Sequence, residues 1–190
     1  MDNIRLVKKE LRTAMKARLA AVSKDETLRA SKSVLAQLES LEQWKRAEIV
    51  LAFLSMKDEI NTIPILNAAR KQGKTFAVPR VAGPDLVFYQ IQDLKKDVAP
   101  GAFGILEPVS GLCPVVETLS EHHGVALVPG LAFDKENFRL GRGKGFYDRF
   151  LASAGDSLYK IGIGYSFQLV EKVPREPHDK ALDLVITSRS

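Results

Sequence analysis

Three glycines, Gly141, Gly143 and Gly145, alternate with the cations Arg142 and Lys144, and Arg139 stands just ahead of them. Glycine lets a backbone come close to a ligand, and the cations neutralise negative charge there. Phe146, Tyr147, Asp148, Arg149, Phe150 and Leu151 then take up helical spacing, so the loop opens onto a helix start with free N–H groups. Three cations interleaved with three glycines make a loop that is entropically costly to order unless it binds something. The arrangement suits a polyphosphate. It is not a Walker A loop, because Phe146 stands where that motif places Ser or Thr after its Gly-Lys pair. The hydroxyl that would hold a metal is missing, and Asp148, one turn on, is the substitute. Magnesium binds through one or two carboxylates with phosphate oxygens and water, a role that fits Asp148. An acid in a first helical turn also serves the helix dipole without any ligand.

Other residues with chemical potential are scattered. Glu59 lies just past an apolar run, where a strand end would present it to a ligand, and Asp58 beside it reads as a solvated turn residue. Leu54, Ser55 and Met56 precede them as an apolar wall. Lys8 and Arg12 are one helical turn apart on a face that, on local pattern alone, is an ordinary solvated basic face, and Lys9 offers a competing register. Cys113 is the single cysteine, which excludes an intrachain disulfide and a cysteine-rich zinc site. Flanked by Leu112 and Pro114, it reads as a small loop or buried hydrophobe. His122 and His123 have no cysteine or second histidine pair nearby, which argues against zinc. No Ser-His-Asp order or nucleophile elbow appears.

Periodicity supplies the elements that must position these groups. Ile4, Val7, Leu11, Met15 and Leu19 recur at helical spacing and predict a helix over 4–21. Ser23 to Glu26 is a capping-box pattern that starts a second helix with Leu28, Val34, Leu35, Leu38 and Leu41 on its apolar side. After Trp44 the texture changes to continuous apolar runs, which predict strands at 49–54, 75–78, 86–89, 125–128, 159–164 and 183–187. Helices are expected at 62–72, stopped by Gly73, and at 145–154. Residues 92–123 are rich in Gly and Pro with little periodicity and read as a long functional loop over the site. Apolar strands alternating with helices imply an α/β fold, a three-layer α/β/α sandwich with a mostly parallel sheet and N-terminal helices. Ligands then collect beyond the carboxyl ends of the strands. There, the acidic turn, the glycine loop and Asp179 would meet. No repeat or linker is visible, and residues 1–190 read as one domain.

With 45% hydrophobic and 27% charged residues, the composition is that of a soluble globular protein. No apolar run approaches the length of a membrane span. The early acid Asp2 and the lack of an apolar signal core make the cytoplasm the expected location. Lys8, Lys9, Arg12, Lys16 and Arg18 leave a mitochondrial address open, against which Asp2 and Glu10 count. The net charge of +5 serves anionic small substrates as well as nucleic acid. Because the cations recur at loops and helix faces and aromatics are only 7%, nucleic acid is the weaker reading.

Pro129, Gly130, Leu131, Ala132, Phe133 and Asp134, together with the stretch over 139–148, resemble the signature of the 5-formyltetrahydrofolate cyclo-ligase (5,10-methenyltetrahydrofolate synthetase) family. The resemblance spans nearly the whole chain. Lys8, Lys9, Glu10, Leu11 and Arg12 resemble its nucleotide-contacting motif, and Asp58 to Thr62 its folate-side acidic turn. Gly101 to Pro108 resemble its central glycine loop, and His178 with Asp179 its C-terminal metal-side pair. The resemblance implies cyclisation of 5-formyltetrahydrofolate to 5,10-methenyltetrahydrofolate with release of ADP and phosphate through a phosphorylated formyl intermediate. ATP would be the co-substrate and Mg2+ the metal.

The resemblance likewise implies ATP contacts from Lys8, Arg12, Arg139, Leu140, Gly141, Arg142, Gly143, Lys144, Gly145, Phe146 and Tyr147. Substrate contacts would come from Leu54, Glu59 and Phe103, and from Arg142, Gly143, Lys144, Gly145 and Phe146 of the same loop. Glu59 would either accept hydrogen bonds from a pterin ring or orient the reacting formyl group. Phe103 would stack on an aromatic ring of the substrate. Arg142 and Lys144 would be catalytic, and Asp148 and Asp179 would hold the metal, with His178 behind it or at the surface. The expected partners are a reduced folate, polyglutamylated or not, and ATP, with no nucleic acid or membrane. A monomer is expected. Two other readings stay open: a related α/β enzyme acting on another phosphorylated or coenzyme-bound substrate, and a basic RNA-binding module.

Overall fold

The structure, a computed structural model, describes residues 2–101, 105–115, 123–154, 158–176 and 179–189. The first helix, α1 (Asp2–Ala20), buries Met15 and Leu19, but Leu6 and Val7 in its first half are exposed. The predicted apolar stripe therefore holds only toward the C-terminal end. In the first half it is Lys8 that turns inward. The helix α2 (Lys24–Ser40) starts as its sequence dictates, with Ser23 Oγ accepting the Glu26 N–H at 3.1 Å. Val34 and Leu38 are buried on it, whereas Leu28 is exposed. A short helix, α3 (Glu42–Arg46), buries Trp44, whose Nε1 donates to Gln72 Oε1 at 2.9 Å.

Six strands form the main sheet. In chain order they are β1 (Ile49–Leu51), β2 (Thr75–Ala82), β3 (Asp85–Ile91), β6 (Gly124–Val128), β9 (Leu158–Gly164) and β10 (Leu184–Thr187). The spatial order is β10-β9-β6-β1-β2-β3. All pairs are parallel except β2 with the edge strand β3, joined to it by a turn at Gly83 with φ of +60°. Alternation along each strand divides the core in two. Val50, Phe76, Val125, Leu127, Ile161, Ile163 and Ile186 pack with α1, α2, α3 and the helix α4 (Ile63–Lys71). Ile49, Leu51, Ala77, Ala126 and Val128 pack with Phe133 and with Phe150 and Leu151 of α5 (Phe146–Ser153). The layers are thus the expected α/β/α, with α1 to α4 on one face and α5 on the other.

Three departures from the sequence expectations have local causes. The strand predicted over 49–54 ends at Leu51, although Ala52, Phe53 and Leu54 remain buried. Beyond it, Thr62 takes over the backbone: its hydroxyl donates to the Phe53 carbonyl at 2.7 Å and accepts the Ser55 N–H at 3.3 Å. Second, the segment expected as one long loop contains a hairpin of β4 (Val98–Pro100) and β5 (Leu106–Pro108). Third, the chain entering the glycine loop forms a small ladder of β7 (Ala132–Phe133) with β8 (Arg139–Leu140). Its turn is organised by Asp134, a buried carboxylate accepting the N–H groups of Glu136, Phe138 and Val173 at 2.9–3.0 Å. Among the described residues, no helix is long and apolar enough to cross a membrane.

Candidate functional site

The glycine loop leaves β8 at the carboxyl edge of the sheet and enters α5. Gly143 and Gly145 adopt φ of +102° and +70°, a backbone that side-chain-bearing residues rarely take. Gly145 is also the residue that caps α5, and no side chain bonds to the first helical N–H groups there. They remain available to an anion. Lys144 is exposed beside them. From α1, Arg12 Nε donates to the Gly141 carbonyl at 3.0 Å, and its guanidinium lies 3.6 Å from where a Cβ on Gly143 would stand. The N-terminal helix therefore folds over the loop.

Arg142 does not stay with the loop. Its Nη2 reaches the acidic turn, donating to Asp58 Oδ1 and Oδ2 at 3.0 and 3.1 Å and to Glu59 Oε1 at 3.1 Å. Burial pushes the Glu59 carboxyl up from the usual carboxylate range, against the Met56 N–H and Arg142, which favour its charged form. Burial works against the charge of Arg142 too, but Glu59 and Asp58 outweigh it and hold its proton more tightly than usual. The turn is fixed from behind by Tyr165, whose hydroxyl donates to the Glu59 carbonyl at 3.1 Å. Asp58 is thus an ion-pair partner of the loop, where the sequence suggested a solvated turn residue.

A second charged group lies at the start of α5 and the C-terminal segment. Arg139 Nη2 meets Asp148 Oδ1 at 2.5 Å, and Lys8 Nζ meets Asp179 Oδ2 at 2.7 Å and Glu176 Oε2 at 2.8 Å. Of the two lysines in competing registers, Lys8 is buried and turned toward the C-terminal segment, and Lys9 is exposed. Burial lowers the affinity of the Arg139 guanidinium for its proton, with Asp148 opposing. Arg139 Nε and the Tyr147 hydroxyl are buried and find no hydrogen-bond partner among the described residues. Burial also raises the Tyr147 hydroxyl, with the Glu59 charge adding to it, so it stays a protonated donor. Two orphan donors beside a glycine loop fit a ligand that brings acceptor oxygens.

Between the acidic turn, α2 and the hairpin lies a cleft of about 270 Å³ lined by Thr27, Leu54, Met56, Glu59, Ile63 and Leu106. Leu54 and Glu59 therefore both line the cleft. Phe103, His122 and His178 lie outside the described residues. Cys113 is exposed. Among the described residues, no group of three or more His, Cys, Asp or Glu forms a metal cage. The carboxylates of Asp148 and Asp179 suit magnesium in their chemistry, because a magnesium ion entering with phosphate needs only one or two protein carboxylates. Each now holds a cation of the chain, which such an ion would have to displace.

Sequence reasoning missed Asp58, Glu176 and Tyr165. Asp58 carried a usable signal, an acid adjacent to a candidate acid and facing a basic loop. Glu176 and Tyr165 carried none, since only the fold brings them to the site.

A sequence model of the 5-formyltetrahydrofolate cyclo-ligase family matches residues 5–188. The chain is 31% identical to the 5-formyltetrahydrofolate cyclo-ligase of Mus musculus over 197 aligned positions, covering 94% of this chain and 92% of the mouse protein. It resembles the NMR structure of Aquifex aeolicus 5,10-methenyltetrahydrofolate synthetase with a TM-score of 0.83 at 34% identity, over 97% of this chain and 91% of that one. A 5,10-methenyltetrahydrofolate synthetase from Mycoplasma pneumoniae shares the fold, with a TM-score of 0.72 at 22% identity over 94% of this chain and 97% of that one.

Proposed function

The chain belongs to the 5-formyltetrahydrofolate cyclo-ligase family and is an enzyme of the ligase class, and from that premise we propose how its site works. The reaction is the closure of 5-formyltetrahydrofolate to 5,10-methenyltetrahydrofolate, coupled to ATP. The carrying observation is Arg142, which leaves the glycine loop and ends on the acidic turn of the cleft. It makes the phosphate-binding backbone and the folate-side carboxylate two walls of one site.

The formyl oxygen is a poor leaving group until it carries a phosphoryl group. It attacks the γ-phosphorus of ATP, and ADP leaves. The N10 lone pair then attacks the activated carbon, the carbon–oxygen bond breaks, and N10 loses its proton as inorganic phosphate departs. This chemistry needs positioning and charge neutralisation more than a covalent nucleophile. The loop over 139–147 holds ATP: its backbone N–H groups and Lys144 face phosphate, with Lys8 and Arg12 approaching from α1. Arg142 and Lys144 neutralise the transferring group, and Tyr147 and Arg139 donate to phosphate oxygens. Leu54 and Glu59 hold the folate, and the position of the Glu59 side chain, 13% exposed and lining the cleft, supports that role. Asp148 and Asp179 would hold Mg2+, which supplies charge neutralisation to the phosphates. We read the 190 residues as one domain, since both core clusters are built on one six-stranded sheet. The protein is expected to act as a monomer in the cytoplasm.

The test is direct. Purified protein with 5-formyltetrahydrofolate, ATP and magnesium should develop the methenyl chromophore, and omission of ATP should abolish it. Equal product formation without ATP, or none with it, would refute the proposal.

A further inference from the structure

Two carboxylates against one guanidinium leave the Asp58, Glu59 and Arg142 trio with an excess of negative charge. That is a poor resting arrangement if the only task of Arg142 is to neutralise phosphate. It makes sense if Glu59 changes partners when substrate arrives. Glu59 Oε1 accepts from both Nε and Nη2 of Arg142, at 3.3 and 3.1 Å, while Oε2 takes the Met56 N–H at 3.0 Å. A substrate with hydrogen-bond donors competes for Oε1. Asp58 has no such second duty, for its carboxylate bonds only to Arg142 among the described residues.

Arg142 needs such a partner. Its backbone sits between Gly141 and Gly143, and its side chain has a long, flexible stem that costs entropy to fix. Two bonds from Nη2 to the Asp58 carboxylate tie that corner of the guanidinium to the acidic turn. Nη1 makes no hydrogen bond among the described residues, so that edge is available to a ligand.

We propose that Asp58 is a positioning residue for the cyclisation. It keeps the Arg142 guanidinium at the mouth of the folate cleft once Glu59 has turned to the substrate, so that the Nη1 edge meets the oxygen receiving the phosphoryl group. Asp58 itself touches no reacting atom. The inference rests on the ATP-coupled reaction proposed above.

Asp58→Asn keeps the size of the side chain and removes its charge, and Asp58→Glu restores the charge on a longer stem. Methenyl formation is measured for the wild type, both variants, Arg142→Ala and the Asp58→Asn/Arg142→Ala double variant. Melting temperatures and equilibrium binding of a non-hydrolysable ATP analogue accompany the kinetics. Asp58→Asn should lower kcat by about tenfold, with analogue binding changed by less than about twofold, because the lost interaction matters during the reaction. Asp58→Glu should recover part of the rate, and the double variant should be no slower than Arg142→Ala alone. Wild-type kcat in Asp58→Asn, or a double variant slower by the product of the two single losses, would overturn the proposal. So would a rate loss that follows the melting temperature and is not relieved by Asp58→Glu. Absence of methenyl product from the wild type would instead remove the reaction itself, and the inference with it.

Discussion

Glu59 is a carboxylate that burial pushes upward from its ordinary value near 4.5, and this has a thermodynamic consequence at the residue scale. A group whose proton is held more tightly in the folded state contributes most stability below its unfolded value, and that contribution is lost as pH rises through the folded one. The melting temperature of the wild type minus that of Glu59→Gln is therefore expected to fall as pH rises from about 4.5 to the raised value. A difference that grows with pH across that window would contradict the assigned shift. Because Arg142 is shared, the same variant should impair the handling of both ligands. Asp148 carries a double load. Its partner Arg139 has a side chain only 4% exposed, whereas Asp148 is 34% exposed, so solvent screens part of the pair. Asp148→Asn is expected to lower turnover about a hundredfold, a loss of about 2.7 kcal/mol, with partial rescue by magnesium. Its melting temperature should also fall, since Arg139 keeps a buried charge without its partner. Full activity across a magnesium titration would remove Asp148 from the metal site.

At the scale of elements, the acidic turn exists because β1 stops early. Thr62 satisfies backbone groups of Phe53 and Ser55 that the sheet would otherwise have paired, and it is fully buried while doing so. Thr62→Val keeps the shape of the side chain and removes both bonds. It is expected to cost about 1–3 kcal/mol, the desolvation penalty of a buried group left unsatisfied. It should also raise the folate KM, because the Glu59 turn loses its anchor to the strand. Chemical denaturation and steady-state kinetics on one preparation check both parts. An unchanged midpoint would mean that water replaces the hydroxyl.

Across the whole molecule, α1 and the C-terminal segment close on the same loop from opposite ends of the chain. Lys8, 8% exposed, is held by Glu176 and Asp179, and Arg12 by Gly141. A ligand that binds the native state raises stability by mass action, about 2.7 kcal/mol at a hundredfold excess over Kd. A non-hydrolysable ATP analogue with magnesium should thus raise the melting temperature, and Lys8→Ala should shrink that increase as well as lower the starting value. Calorimetry with and without the analogue measures both. An undiminished increase in Lys8→Ala would confine Lys8 to a structural role.

Much was legible in the sequence because it depends on neighbours along the chain. The Ser23 cap, the apolar strands around Val50, Val125 and Ile161, and the glycine loop before α5 follow from spacing and backbone preference within a few residues. The hairpin of β4 and β5 was not legible, since its pairing of Val98 with Pro108 satisfies no local periodicity. Nor was the inward turn of Lys8, or the exposure of Leu6, Val7 and Leu28, because burial on a helix depends on what faces it. The sequence by itself determined the long helices, the strands of the main sheet and that a glycine loop with cations precedes a helix. Only the tertiary structure decided where those cations go. Arg142 and Asp58 lie 84 positions apart and Lys8 and Asp179 lie 171 apart, and charge pairing acts through space, where chain order leaves no trace.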